Sequence, residues 1–174
     1  MRSTEVRKLK VYRRLAIAEV REELRRAGLS MPTWLASCMT GLSGLVLPDD
    51  LQLKVIVAGS AATVIEQFSR FARRGVDSSI SRNMRLYPFM RERQLIPFAY
   101  TLCHGYILTA SKGAGNDRQL LYYNADETKI VFVGTRIERR GGSELLSKVV
   151  NSECLIETMT ALSENIKPRV KRPL

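Results

Sequence analysis

The stretch QLLYYN (119–124), ADET (125–128) and KIVFVGTRIE (129–138) decides the fold. Its outer parts are rich in aromatic and β-branched residues, and the four residues between them favour a turn, so it reads as a β-hairpin. A further strand is expected at Leu51–Ala58, where Leu51, Leu53, Val55 and Val57 alternate with Gln52, Lys54 and Ile56. Around these strands the sequence reads as helical.

Residues 4–27 form one amphipathic pattern. Val6, Arg13, Val20 and Ala27 recur every seven, Ile17 and Leu24 lie on an adjoining stripe, Ser3 or Thr4 suits the cap, and Gly28 suits the C′ position. A second helix is expected from Ser30, with Pro32 in its first turn, Trp34 and Leu35 as anchors, and an end at Gly41 to Gly44. Residues 46–50 read as a turn. Gly59-Ser60 then opens an expected helix ending near Gly75, with Val64, Phe68 and Phe71 at i, i+4 and i+7. Residues 76–94 are rich in Ser and Arg, and Pro88 forbids a continuous helix there. Pro97 suits a helix start, so Phe98–Ala110 reads as a buried helix, followed by a loop over 111–117 and then the hairpin. Arg139–Gly142 is a loop, and Ser143 caps a closing helix that runs to about Ile166. Its stripe is Leu145, Val149, Ile156, Met159, Leu162 and Ile166, and Asn151-Ser152 allows a break.

The expected class is α+β: a small antiparallel sheet packed against helices, with long amphipathic N- and C-terminal helices. The expected organisation is a basic helix at 1–28, one α+β domain over 29–166, and a mobile basic tail at 167–174.

Length and composition agree with this. The chain has 174 residues, is 45% hydrophobic and 26% charged, and can bury a core. Wholesale disorder needs fewer apolar residues, and no apolar run approaches the ~18 residues a membrane-spanning helix needs. Cys38, Cys103 and Cys154 are few, odd in number and far apart, which suits a reducing compartment and neither a disulfide framework nor a zinc site. No signal peptide or lipidation pattern is expected.

The charge is uneven, and this points to a partner. The chain holds 28 Lys+Arg against 17 Asp+Glu, a formal net charge of +11. Residues 1–28 are net +5, residues 70–93 net +5 and the last ten +4, while 29–69 and 94–164 are −2 and −1. The expected anion-binding residues, for phosphate or lipid headgroups, are Arg7, Lys8, Lys10, Arg13, Arg14 and Arg21 in the first block. The central block supplies Arg70, Arg73, Arg74, Arg82, Arg85, Arg91 and Arg93, and the tail supplies Lys167, Arg169, Lys171 and Arg172. Such blocks bind nucleic acid through counterion release or hold a protein against an anionic leaflet. Arg outnumbers Lys, which favours phosphate, because guanidinium offers a planar two-pronged fork. Tyr12, Phe71, Tyr87 and Phe89 are the aromatics placed to stack on bases, with Phe71 in phase for the core instead.

No catalytic residue, metal site or cofactor is expected. His104 is the sole histidine and reads as an interior residue on an apolar helix. Lys112-Gly113-Ala114-Gly115 lacks the Gly-Lys-Ser/Thr of a phosphate loop and precedes a strand rather than a helix, so it reads as a flexible loop. Asp49-Asp50 and Asp126-Glu127 lie in turns.

Taken in order, the expected strand at 51–58, the helix at 61–73, the basic stretch leading into a Pro-Phe-containing helix (82–108), the glycine loop and the paired strands resemble the matrix protein of rhabdoviruses. The likeness is to the short, basic matrix proteins of the plant-infecting members. It covers roughly residues 50–140 and rests on size and order, with no shared residue motif. The Pro-Pro-x-Tyr motif of the animal-virus members is missing. The resemblance implies a non-enzymatic virion protein that self-associates into homo-oligomers, condenses a ribonucleoprotein and lines the inner leaflet of the envelope peripherally. It would act in the virion and host cytoplasm, with the nucleus also open to it. A sequence-nonspecific RNA-binding protein, nucleocapsid-like or a silencing suppressor, is the other function that the charge fits.

Overall fold

The structure is a computed structural model, and it describes residues 17–47, 53–57, 63–71, 80–102, 104–133 and 152–166. Helix α1 spans Ile17–Arg26 and α2 spans Thr33–Leu42. Strands β1 (Leu53–Val55) and β2 (Thr63–Phe68) follow, then the short helices α3 (Ile80–Leu86) and α4 (Pro88–Glu92). Strands β3 (Leu95–Thr101), β4 (Gly105–Ala110), β5 (Leu121–Asn124) and β6 (Lys129–Phe132) come next, and α5 (Ser152–Asn165) ends the described chain. The class is α+β, but the sheet is larger than expected: six antiparallel strands in the order β1 to β6.

Two segments expected to be helices are strands. Residues 63–68 form β2, and 95–110 form the β3–β4 hairpin. Of the expected stripe, Phe68 and Phe71 are core while Val64 is only half-buried, and a register shift interrupts the ladder in each segment. The ladder between β2 and β3 is irregular between Ile65 and Gln67, so Ile65 and Phe68, three apart, are both buried in the main core. In a regular strand they would face opposite ways. The β3–β4 ladder shifts between Pro97 and Ala99, which is where a strand tolerates a proline. β3 and β4 also contribute to two hydrophobic clusters, one on each face. Such a strand reads as a continuous apolar run that spacing cannot separate from a buried helix. His104, placed in the helix by the sequence, is an exposed hairpin-tip residue with φ 53°. Val46 and Leu47, expected in a turn, pair with β2 instead: Val46 bridges Gln67, and the Leu47 N–H donates to Glu66 O at 2.7 Å.

The second helix and the β5–β6 hairpin form where the sequence puts them. α2 starts after Pro32, Leu35 is fully buried, and Trp34 packs edge-on against Phe98 at 5.7 Å between ring centroids. The β5–β6 hairpin pairs Asn124 with Lys129, leaving Ala125–Thr128 as its turn. α5, within the stretch expected to be helical from Ser143 to about Ile166, spans Ser152–Asn165 and buries Ile156, Met159 and Leu162, with Ile166 buried just after it. Helix α1 is ten residues, and Gly28 takes φ 77° after it. The rest of the two long terminal helices expected from the sequence (4–16 and 143–151) and the expected tail at 167–174 lie outside the described residues.

One face of the sheet carries the main core. A row runs across five strands through Phe68, Ala99, Ile107, Tyr122 and Val131. Against it lie Val20 and Leu24 of α1, Leu35, Met39 and Leu42 of α2, and Leu155, Met159 and Leu162 of α5. α1 therefore docks onto its own chain. α2 and α5 cross on small side chains: a Cβ on Gly41 would sit 2.7 Å from Ser163 Oγ and 2.9 Å from its carbonyl oxygen, and Cys38 Sγ lies 3.4 Å from Thr160 Oγ1. The glycine loop is tied down at its ends. Ser111 Oγ accepts from Ser30 N–H at 2.9 Å, and the Trp34 indole N–H donates to Asp117 O at 3.0 Å. The sheet also curls until Val57, beyond β1, bridges Val133, beyond β6. No helix among the described residues is long and apolar enough to cross a membrane.

Candidate anion-binding surface

On the opposite face of the sheet lie α4 and the end of α3: Ile80 and Met84 of α3 still join the main core, while Asn83, Tyr87, Phe89 and Met90 meet the second cluster. In α3 the residues Ile80, Asn83 and Met84 are buried and Tyr87 after it is half-buried, which is the i, i+3, i+4, i+7 stripe of an amphipathic helix. Ser81, Arg82, Arg85 and Leu86 form the outward side. Pro88 opens α4 at a position where a missing N–H costs nothing, and it turns the chain between the two helices. Met90 is fully buried, and Arg91, Glu92 and Arg93 are exposed. Residues 80–93 thus carry four arginines and one glutamate on the solvent side of a packed element.

What holds this element down is a cluster of aromatic rings. Tyr100, Tyr106, Tyr123 and Ile130 are successive register partners across β3 to β6, a row on the face opposite the main core. Tyr87 packs on Tyr106 and Tyr123 with centroids 5.3 and 5.4 Å away, and Phe89 packs on Tyr123 at 4.8 Å. The Asn83 side-chain amide donates to the Tyr100 hydroxyl. Aromatic pairs of this kind contribute about 0.5–1.5 kcal/mol each beyond the area they bury. Burial pushes the phenols of Tyr100, Tyr106 and Tyr123 above the usual tyrosine range, and at Tyr106 a hydrogen bond with Tyr87 adds to it.

This gives the attachment a pH limit. A phenol whose folded pKa is raised leaves stability intact below its ordinary value of 10.0, and that stability drains away as pH climbs towards the raised folded value. Near-ultraviolet circular dichroism of the tyrosines is expected to hold steady up to about pH 10 and to decay above it. Tyr106→Phe is expected to move the decay to higher pH; an unchanged alkaline limit in that variant would show that Tyr106 does not set it.

Arg82 and Arg85 on α3, Arg91 on α4 and Arg93 just after it are all exposed. No ion pair among the described residues involves Arg85, Arg91 or Arg93. Arg21 is exposed on α1, within a helix whose Glu22 binds Arg25 and Arg26 at 2.8 and 3.1 Å. Those two guanidiniums, Arg25 first, hold the Glu22 carboxyl down at about 2. Arg70 is set apart: it is half-buried, with Nε 3.1 Å from where a Gly44 side chain would begin, and its carbonyl accepts from Ile80 N–H at 3.3 Å. Arg7, Lys8, Lys10, Arg13, Arg14, Arg73, Arg74, Lys167, Arg169, Lys171 and Arg172 lie outside the described residues.

Phe71 is core, 1% exposed, as its phase suggests. Tyr87 and Phe89 turn towards the sheet, so their rings are engaged by the protein itself. The sequence reading missed Tyr100, Tyr106 and Tyr123. Their alignment exists only once 95–110 is a hairpin, and the signal available was the high aromatic and β-branched content of those strands. No protein-family model matches the chain, and no curated protein matches it either.

Proposed function

We propose that the chain is a non-enzymatic structural protein of the matrix type, which self-associates and spreads over polyanions, bridging a ribonucleoprotein and the anionic inner leaflet of a membrane. The observation that supports this is the α3–α4 element, where Arg82, Arg85, Arg91 and Arg93 are exposed while its inner side packs into the main core through Ile80 and Met84 and onto the aromatic row through Tyr87 and Phe89. A cationic surface on a rigid base meets a planar or repeating anion without ordering a flexible segment first, which lowers the entropic cost of binding. The element order that suggested the matrix family is not the observed one, since two of its helices are strands. The reading therefore rests on the charged surface.

Vesicle flotation beside single-stranded RNA binding, at matched ionic strength, tests it. Co-flotation with phosphatidylserine-containing vesicles is expected, weakening as salt rises, with little affinity for neutral phosphatidylcholine. RNA binding is expected to fall linearly in log affinity against log salt. Binding to RNA with no attachment to anionic vesicles would replace this reading with that of a sequence-nonspecific RNA-binding protein. Sedimentation over a concentration and salt series is expected to show oligomers. A monomer throughout would remove self-association.

A further inference from the structure

We infer that the elbow between α3 and α4 is a bilayer-seeking surface, on which Leu86 enters the boundary between headgroups and acyl chains of an anionic leaflet while Arg85, Arg91 and Arg93 engage lipid phosphates. The inference rests on the polyanion reading above and names the partner of that same surface.

Leu86 is 57% exposed, the most exposed of the large apolar side chains among the described residues. A single exposed leucine carries little meaning alone; its surroundings give it meaning here. The phase of α3 puts Leu86 on the same side as Arg82 and Arg85, one turn on from the first and beside the second. The residue at the turn, Pro88, is also exposed and has no N–H to leave unpaired in an apolar medium. Arg91 lies in the five-residue α4, about 8 Å long, and Arg93 directly follows it, so both come within seven residues of Leu86 on one short, exposed element. An interfacial membrane element needs this combination: apolar groups that reach about 5–10 Å into the boundary, ringed by cations at phosphate level.

RNA offers the same phosphates but a different second contact. Bases are held by open aromatic faces, whereas Tyr87 and Phe89 are packed onto Tyr106 and Tyr123, and the group facing outward is an aliphatic side chain. Guanidinium with an aliphatic tip complements a phospholipid surface better than a nucleic acid.

Binding of the full chain to vesicles of roughly one-third phosphatidylserine in phosphatidylcholine, and to single-stranded RNA at the same ionic strength, tests this. Leu86→Gln is expected to weaken vesicle binding roughly tenfold, leave its salt slope unchanged and leave RNA binding unaffected. Leu86 lies on the solvent side of α3, and circular dichroism checks that the variant keeps its fold. Independently, the tryptophan fluorescence of Leu86→Trp is expected to be quenched by lipids brominated in the upper acyl chain, while that of the parent, which has only Trp34 anchored against Phe98, is not. Vesicle binding that survives Leu86→Gln, with no quenching of Leu86→Trp, would overturn the insertion and leave the polyanion reading standing. An equal loss on RNA and vesicles would also overturn it, by making the elbow a general anion surface. If Arg85→Gln, Arg91→Gln and Arg93→Gln together leave vesicle binding unchanged, the polyanion reading itself fails.

Discussion

Gly105→Ala is expected to lower the unfolding free energy by about 3 kcal/mol. A methyl at this position would collide with the Tyr122 ring and would come within 2.5 Å of both the Tyr122 hydroxyl and Thr101 Oγ1. Ordinary carbon contacts are about 3.5–4.0 Å. Gly105 has no positive φ, so conformational freedom plays no part; the cost is steric. Tyr122 lies diagonally across the β4–β5 ladder from Gly105 and covers it, an aromatic ring filling the space a glycine leaves on the neighbouring strand. It cannot withdraw cheaply, because it belongs to the core row between Ile107 and Val131. Alanine's better strand propensity returns well under 1 kcal/mol. The measurement is the midpoint of urea unfolding at unchanged slope. Pairing Gly105→Ala with Tyr122→Val is expected to cost less than the sum of the two single changes, since the smaller side chain opens the room the methyl needs. Strict additivity would refute the contact.

Arg85→Gln, Arg91→Gln and Arg93→Gln together are expected to weaken attachment to anionic vesicles by about a hundredfold. Each cation near an anionic leaflet contributes about 1 kcal/mol, and three correspond to about two decades in affinity. The same triple change is expected to alter folding stability by less than about 0.5 kcal/mol, because all three side chains are exposed and none joins an ion pair among the described residues. Flotation in a salt series and urea unfolding of the same sample separate the two effects. A large fall in stability would mean that these arginines hold the fold together.

The contrast between these two variants follows the line between what could and could not be read in the sequence. The exposed arginines of 80–93 were legible from charge counting alone, since an amphipathic element keeps its charges outward wherever it packs. That Pro88 forbids a continuous helix there was legible for the same local reason, though the two helices on either side of it were not. α2, the β5–β6 turn and the apolar stripe of α5 were also legible, because each depends on neighbours within a few residues.

The central strands were not. Ile65 and Phe68 are spaced like one face of a helix because an irregularity in pairing with β3 resets the strand between them. The strands Leu95–Thr101 and Gly105–Ala110 are largely apolar because both of their sides are covered, one by the main core and the other by the aromatic row. Neither fact lies in the local sequence; each is a property of the partner strand. The aromatic anchor beneath the arginines was lost with them, since Tyr100, Tyr106 and Tyr123 meet only across hairpins. His104 was misplaced for the same cause. The sequence located the charged surface, and long-range pairing supplied its foundation.

The bridge between Val57 and Val133 bears on how copies of this chain could be arranged. A meander that ended in two open borders would invite strand-to-strand polymerisation, the route to fibres. Here the first and last borders bend towards one another and begin to satisfy each other. The self-association proposed above would then run through side-chain surfaces such as the helical layers, and not through strand-to-strand pairing.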